Sequence, residues 1–158
     1  MGSNIPPRRA YLEKAAELVR ERIGKVVSVS KVYETEAWGF IAESFLNQSL
    51  IVKTTLNAEQ ILEETQAVER LLGRKKKTTA ATGYASRTMD IDLIFFNDEI
   101  LATDRLQIPH PRMAQRRFVL ATLKDIMPEY IHPVFKQSIL TLYRTCEDTS
   151  KVVETVSQ

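Results

Sequence analysis

The alternation of apolar and polar positions predicts one chain in which helices and strands are mixed. Apolar residues recur at helical spacing in four stretches. The predicted helices cover residues 7–23, 57–72, 118–126 and 137–143. The second of them opens with Asn57 and Gln60, the two residues of a capping box, and Gly73 is placed to end it.

Strand-like stretches rich in β-branched residues lie between these helices. The predicted strands cover residues 27–33, 45–55, 88–96 and 99–101. The stretch 88–96 is the clearest, and the proline-flanked segment 108–111 must be extended. Strands and helices segregated in this way favour an α+β domain. We expect it to span residues 1–146, followed by a polar C-terminal tail, residues 147–158, that frays.

Length and composition favour a cytoplasmic protein with one ordinary core. The chain has 158 residues, of which 44% are hydrophobic and 27% charged, close to globular averages. No apolar run approaches the length of a membrane span, and we expect no export signal, because no charged start is followed by an apolar stretch. The lone cysteine, Cys146, fits a reducing compartment.

The charge is distributed unevenly. Lys and Arg total 22 against 20 Asp and Glu, a net charge of +2. Residues 73–87 contain five of the basic residues and no acid, so their charge of +5 leaves +2 − 5 = −3 for the rest. This patch indicates either a polyanionic ligand of limited size or a solvated loop. An RNA-binding domain is disfavoured, because aspartates on the best strand would repel a phosphate backbone.

Two acidic residues within the stretch 88–96 are the main candidates for chemistry. In a strand, Met89 and Ile91 would face the core, and Asp90 and Asp92 would share the other face. Their Cα atoms would then lie roughly 6.5–7 Å apart. Such a pair can hold Mg²⁺ together with nucleotide phosphates. The alternative is a solvated strand face without a metal.

Basic residues on both sides of this pair favour phosphoryl transfer. The basic residues that flank it are Arg87, Arg105, His110, Arg112, Arg116 and Arg117. In phosphoryl transfer, a metal held by carboxylates neutralises the bridging phosphate oxygens, and guanidinium groups bind the other oxygens in a bidentate manner. No P-loop or kinase-type glycine loop is present. His110 either caps a turn or donates to a phosphate, whereas His132 has no supporting group and is expected to be structural.

Several short motifs resemble one family. The run from Arg87 to Ile94, followed by Leu106–His110, resembles the signature of the 6-hydroxymethyl-7,8-dihydropterin pyrophosphokinases of folate biosynthesis. Further similar segments are Gly2–Asn4, Tyr33–Thr35, Phe45–Asn47 and Gln66–Arg74. The resemblance implies an α/β sandwich in which helices flank a ferredoxin-like antiparallel sheet. It also implies transfer of the pyrophosphoryl group of ATP to the pterin hydroxymethyl oxygen, which releases AMP.

The resemblance also implies roles for individual residues. Asp90 and Asp92 would hold two Mg²⁺ ions, and Arg74 and Arg87 would be catalytic with them. ATP would be bound by Gln66, Leu93, Arg105, Leu106, Gln107, His110 and Arg116. The pterin would be bound by Thr35, Trp38, Phe45, Asn47 and Phe118. We expect ATP and the pterin as the partners of a monomer, with no nucleic acid or membrane.

The N-terminus departs from the family pattern. Members normally have a strand before Gly-Ser-Asn, but only Met1 precedes it here, so we expect this first strand to be missing. Its loss would expose core surface and unpaired backbone groups. A pterin- or nucleotide-binding module without catalytic activity therefore stays open as an alternative.

Overall fold

The computed structural model of the chain describes residues 1–36, 43–73 and 88–156. They form an α+β fold of helices and antiparallel sheets, so the predicted class is confirmed. The helices are α1 Arg8–Arg22, α2 Ala58–Leu71, α3 Arg117–Ile126 and α4 Ile139–Thr145. The strands are β1 Gly2–Ser3, β2 Lys25–Val29, β3 Tyr33–Thr35, β4 Phe45–Asn47, β5 Leu50–Lys53, β6 Leu101–Ala102, β7 Gln107–Ile108 and β8 Val152–Glu154.

The largest described sheet has the strand order β1-β4-β3-β8, with antiparallel pairing throughout. Asn47 on β4 lies opposite Gly2 on β1. On its other side, Gly2 forms a bridge with Asp90, and each backbone N–H donates to the other residue's carbonyl at 2.9 Å. Residues directly opposite each other in an antiparallel pair point to the same face. Asn47, Gly2 and Asp90 therefore form one row across the sheet.

The predicted strand 88–96 is wrong as a regular strand. The stretch makes one isolated β-bridge, between Asp90 and Gly2, because the neighbouring β1 has just two residues and offers no longer edge. The alternation of faces nevertheless persists. Met89 is fully buried and Ile91 packs on the same cluster, together with Leu12 of α1 and Val68 of α2.

Two other predicted strands are each divided. The stretch 27–33 forms β2 and β3, and the stretch 45–55 forms β4 and β5. Between them, the Ser30 N–H donates to the Ser49 carbonyl at 3.0 Å and the Ser30 hydroxyl accepts from the Ser49 N–H at 2.9 Å. The chain therefore leaves one sheet and enters the two-stranded sheet β2-β5 at this crossing. The polar run 47–49 interrupts the apolar residues at this crossing, and the prediction of one continuous strand passed over it.

The prediction that the C-terminal tail frays is wrong for its middle part. Val152–Glu154 forms β8 and pairs with β3. Beyond it, the Thr155 N–H donates to the Val32 carbonyl at 2.9 Å. The tail as a whole is polar, but Val152, Val153 and Thr155 are β-branched residues typical of a strand, and they provide partners for the backbone groups along the edge of β3.

The predicted helix boundaries agree closely with the structure. The capping box of α2 is present: the Gln60 N–H donates to Asn57 Oδ1 and the Asn57 N–H donates to Gln60 Oε1, both at 2.9 Å. Gly73, just beyond this helix, has a φ of +88°, which a glycine adopts without strain. Among the described helices, none is long and apolar enough to span a membrane.

Two apolar layers leave one face of the sheet accessible. The helices α1 and α2 pack on the face that carries Leu46 and Met89. The helices α3 and α4 form a second cluster through Leu120, Leu123 and Ile139. Because side chains alternate along β4, its neighbours Phe45 and Asn47 point away from the first layer, toward an open cavity.

Candidate active site

Most of the predicted site residues line this one cavity, whose volume is about 1920 Å³. These residues are Thr35, Phe45, Asn47, Gln66, Asp90, Asp92, Leu93, Arg105, His110, Arg116 and Phe118. Leu106 and Gln107 follow Arg105 in the chain but do not line the cavity; Gln107 is the first residue of β7. Trp38, Arg74 and Arg87 lie outside the described residues.

The paired aspartates lie on the cavity side of their segment. Asp90 is half-buried and Asp92 is exposed, while the intervening Ile91 packs on the core. The backbone between them is fixed from α2, because the Ile91 N–H donates to Oε1 of the buried Glu69 at 2.8 Å. The described residues contain no group of three or more His, Cys, Asp and Glu side chains that could hold a metal. A cation here would therefore share two carboxylates with a ligand.

His110 lies near these acids, and its two ring nitrogens have different roles. Its backbone N–H donates to the Ile94 carbonyl at 2.9 Å, which ties it to the acidic segment. Its Nδ1 accepts from the Arg112 N–H at 3.1 Å. The neutral ring therefore carries its proton on Nε2, which is a donor. The sequence left a turn cap and a ligand donor as alternatives, and this tautomer is compatible with both.

The charges around His110 have opposing effects on its pKa. Burial lowers the pKa most strongly, and the positive charges of Arg116 and Arg112 lower it further. The carboxylate of Asp92 acts in the opposite direction. The net lowering keeps the imidazole neutral near pH 7. Two guanidinium groups and a carboxylate thus surround a neutral hydrogen-bond donor.

A second group of cavity residues can recognise a flat polar ring. The buried Asn47 donates through Nδ2 to Thr35 Oγ1 at 2.9 Å and to the Tyr33 carbonyl at 3.5 Å. These bonds fix the orientation of the amide and direct Oδ1 toward Gly2, where a Cβ would lie only 3.1 Å from it. Phe45 lies opposite Thr35 on the neighbouring strand.

The remaining predicted residues lie on α2 and on the segment 105–107. Gln66 is an exposed residue of α2, and Gln107 is exposed on β7. Leu106 is buried and packs in one cluster with Leu93. Arg105 is exposed, and its Nη1 lies 3.5 Å from Glu59 Oε2 and 3.6 Å from Glu63 Oε1, both on α2.

The sequence did not indicate two further cavity residues, Asp148 and Ser150. Asp148 accepts the N–H of Arg117 at the start of α3, although 31 positions separate the two residues. An Asp followed two residues later by Ser signals a local turn. Nothing in that local signal reveals a contact with a distant helix.

Comparisons with known proteins agree on one family. The family model described as 7,8-dihydro-6-hydroxymethylpterin-pyrophosphokinase matches residues 1–128. The 2-amino-4-hydroxy-6-hydroxymethyldihydropteridine pyrophosphokinase of Porphyromonas gingivalis is 38% identical over 135 residues, which cover 84% of this chain and 90% of the relative. The enzyme of the same name from Bacillus subtilis is 41% identical over 128 residues, covering 80% of this chain and 74% of the relative.

Solved structures share the fold. A Plasmodium falciparum HPPK-DHPS A437G structure with SDX-DHP superposes with a TM-score of 0.69 at 20% identity. The match covers 91% of this chain but only 41% of that longer one. The chain therefore belongs to the 7,8-dihydro-6-hydroxymethylpterin pyrophosphokinases, which transfer the pyrophosphoryl group of ATP to hydroxymethyldihydropterin in folate biosynthesis.

Proposed function

We propose that the cavity is the place where this chain carries out that transfer, in a magnesium-dependent reaction. The observation that carries the proposal is the row of Asn47, Gly2 and Asp90 across one face of the sheet. In this row the buried Asn47 amide and the Asp90 carboxylate lie on either side of Gly2, and we propose that the amide binds the ring edge and the carboxylate a phosphate-bound cation. The two substrates would then meet over β1.

The donor chemistry of Asp90 and Asp92 fits magnesium. Carboxylate oxygens are the hard ligands that Mg²⁺ prefers, and ATP phosphates complete its coordination. Asp90 and Asp92 would hold two such ions together with the phosphates of ATP. When bound, they neutralise negative charge on the phosphate oxygens. The contact between Glu69 and the Ile91 N–H supports this assignment, because it fixes the backbone between the two acids.

The binding of ATP is assigned to the basic residues around the acidic pair and to residues near α2 and β7. Arg116 and His110 bind phosphate oxygens, the latter through Nε2–H. Gln66 and Arg105 bind ATP from the side of the cavity next to α2. Leu93, Leu106 and Gln107 frame the adenine. Arg74 and Arg87, which lie outside the described residues, are proposed to hold the transferred group.

The pterin side is assigned to Thr35, Asn47, Phe45, Phe118 and Trp38. Aromatic faces stack on the ring, and the fixed Asn47 amide presents Oδ1 to the ring edge. The pterin hydroxymethyl oxygen forms a bond to the β phosphorus of ATP, and the bond from that phosphorus to the α–β bridging oxygen breaks. AMP leaves with that oxygen, and the hydroxyl proton is released. Alignment and charge stabilisation carry the step.

The detailed topology of the sheet is also part of the proposal. A ferredoxin-like sheet that lacks the family's first strand stays a prediction. The described strands fall into groups of four, two and two. The two-residue β1 lies between β4 and Asp90, at the centre of the row that carries the proposal.

The acidic pair is tested with Asp92→Ala and Asp92→Asn in an assay that follows AMP release from ATP. We expect both variants to lose magnesium-dependent AMP formation while keeping the wild-type circular dichroism spectrum. Asp98→Ala, an exposed acid just beyond the same segment, is the matched control and should remain active. Turnover retained by Asp92→Ala would contradict the metal role. Substrate binding by the wild type without AMP release would indicate an inactive binding module.

The pterin pocket is tested separately with Asn47→Ala. The KM for the pterin should rise much more than the KM for ATP, because only the ring edge loses its partner. Thr35→Ser keeps the hydroxyl that receives the Asn47 amide and should change neither KM strongly. An equal rise of the two KM values in Asn47→Ala would contradict the assignment.

A further inference from the structure

We propose that Asp148 is a positioning residue for the reaction, because it fixes the first turn of α3 and with it Arg116 and Phe118. The inference rests on the roles proposed above for these two residues. Asp148 lies beyond residues 1–128, the part of the chain matched by the family model. It reaches neither substrate itself in this scheme, and it acts through the backbone of Arg117.

The first step is the unusual start of α3. The first N–H groups of a helix have no partner within the helix and are commonly capped by a nearby side chain. At the cap position of α3, the Arg116 side chain makes no capping hydrogen bond. Instead, the Arg117 N–H donates to Asp148 Oδ2 at 2.9 Å. A carboxylate at this end of the helix also interacts favourably with the positive end of the helix dipole.

The second step is that Asp148 is itself held firmly. Its Oδ1 accepts from the Ser150 N–H at 2.9 Å and also from the Ser150 hydroxyl. Burial raises the pKa of Asp148, but the hydrogen bonds from Ser150 and Arg117, with the Arg117 charge, outweigh burial and lower it. The carboxylate is therefore ionised at neutral pH and remains an acceptor on both oxygens.

The turn formed by Asp148 and Ser150 leads directly into the sheet. Two residues after Ser150 the chain enters β8, which pairs with β3. The far end of β8 is secured by Thr155, whose Oγ1 accepts from Arg9 Nη2 of α1 at 3.0 Å. Asp148 thus connects the start of α3 to a segment that is held in the sheet.

The start of α3 also contributes side chains to the cavity. Arg116 and Phe118 directly flank Arg117, and both line the cavity together with Asp148 and Ser150. The Arg117 side chain is used elsewhere, since its guanidinium carbon lies 4.6 Å from the centre of the Tyr143 ring. The backbone contact to Asp148 and the side-chain contact to Tyr143 therefore fix the turn from two directions.

The test compares Asp148→Ala with Asp148→Asn, which keeps an oxygen acceptor for the Arg117 N–H. We expect Asp148→Ala to lose about tenfold in kcat/KM for the pterin, because small misplacements of a positioning group reduce rates strongly. Asp148→Asn should recover part of that loss, because it keeps one oxygen acceptor for the Arg117 N–H but presents an NH2 group in place of the oxygen that accepts from Ser150. The adjacent Glu147→Ala is the matched control and should behave as wild type. All assays are made well below the unfolding temperature of each variant.

A purely structural role predicts a different result. It would lower the unfolding temperature of Asp148→Ala and leave kcat and both KM values of the folded protein unchanged, which would overturn the inference. Equal kinetic losses in Asp148→Ala and Asp148→Asn would also overturn it, since the acceptor would then not be the relevant group.

A double-mutant cycle with Phe118→Ala separates this inference from the pocket assignment. If Asp148 acts through the first turn of α3, Asp148→Ala should change the pterin KM much less in the Phe118→Ala background than in the wild type. If Phe118→Ala raises the pterin KM and Asp148→Ala does not, the positioning role is wrong and the pocket stands. If Phe118→Ala leaves the pterin KM unchanged, the pocket assignment is wrong at that residue.

Discussion

Replacement of Glu69 by alanine tests whether the backbone between the two aspartates is fixed from α2. Glu69 is only 8% exposed, and its Oε1 accepts the Ile91 N–H at 2.8 Å. The alanine variant removes this acceptor and leaves a half-buried N–H without its partner. Glu69→Gln keeps one oxygen acceptor for the Ile91 N–H, removes the charge and replaces the other carboxylate oxygen by an NH2 group.

The size of the effect follows from the type of bond. A hydrogen bond to a charged group contributes about 1.5–3 kcal/mol, so we expect Glu69→Ala to lower the free energy of unfolding by about 2 kcal/mol. For a domain of this length that corresponds to a fall of about 4–8 °C in unfolding temperature. The Mg·ATP concentration needed for half-maximal rate should also rise, because Ile91 separates Asp90 from Asp92.

Thermal unfolding followed by circular dichroism, together with the AMP-release assay, measures both effects. Glu64→Ala on the same helix is the matched control: it loses an ion pair with Arg22 whose side chains are 31% and 39% exposed. Such surface pairs contribute less than about 1 kcal/mol. The reasoning is refuted if Glu69→Ala unfolds at the wild-type temperature, or if Glu69→Gln is as damaging as Glu69→Ala.

Three further predictions concern other parts of the fold. Gly24→Ala should lower the free energy of unfolding in urea by about 3 kcal/mol, since its Cβ would lie 2.3 Å from the Lys53 carbonyl oxygen; an unchanged urea midpoint contradicts this. Gly2→Ala should raise the KM for the pterin more than that for ATP, by displacing the Asn47 amide. Burial lowers the pKa of His132, so stability should fall as pH drops below about 6.5, and this fall should be smaller in His132→Phe.

Features whose physical causes are local could be predicted from the sequence. The capping box needs only the polar groups of Asn57 and Gln60 three positions apart. The separation of Asp90 and Asp92 from Met89 needs only the alternation of an extended chain, which persists although the segment makes a single bridge. Such features depend on neighbours in the chain, and tertiary packing retained them.

Features that depend on distant partners could not be predicted. β8 pairs with the edge of β3, and although the β-branched residues among 152–156 are typical of a strand, nothing along the chain indicates which edge they pair with. The cap of α3 by Asp148 joins residues 31 positions apart. The orientation of Asn47 depends on Thr35 from the adjacent strand, and a pattern along one strand contains no information on pairing.

The sheet register gives a physical reason why two substrates can meet in this cavity. Asn47 and Asp90 lie on either side of Gly2, and adjacent strands are about 4.8 Å apart, so the two residues are separated by about 10 Å across the sheet. That separation suits a two-ring heterocycle whose edge is read by Asn47 and whose hydroxymethyl arm points toward the acids. Gly2 has no side chain between them, and a flat ring can lie over the sheet at that position. A larger residue there would obstruct both the amide and the path of the arm. In the proposed scheme, the position of β1 between β4 and Asp90 therefore sets the distance between the pterin side and the metal side of the site.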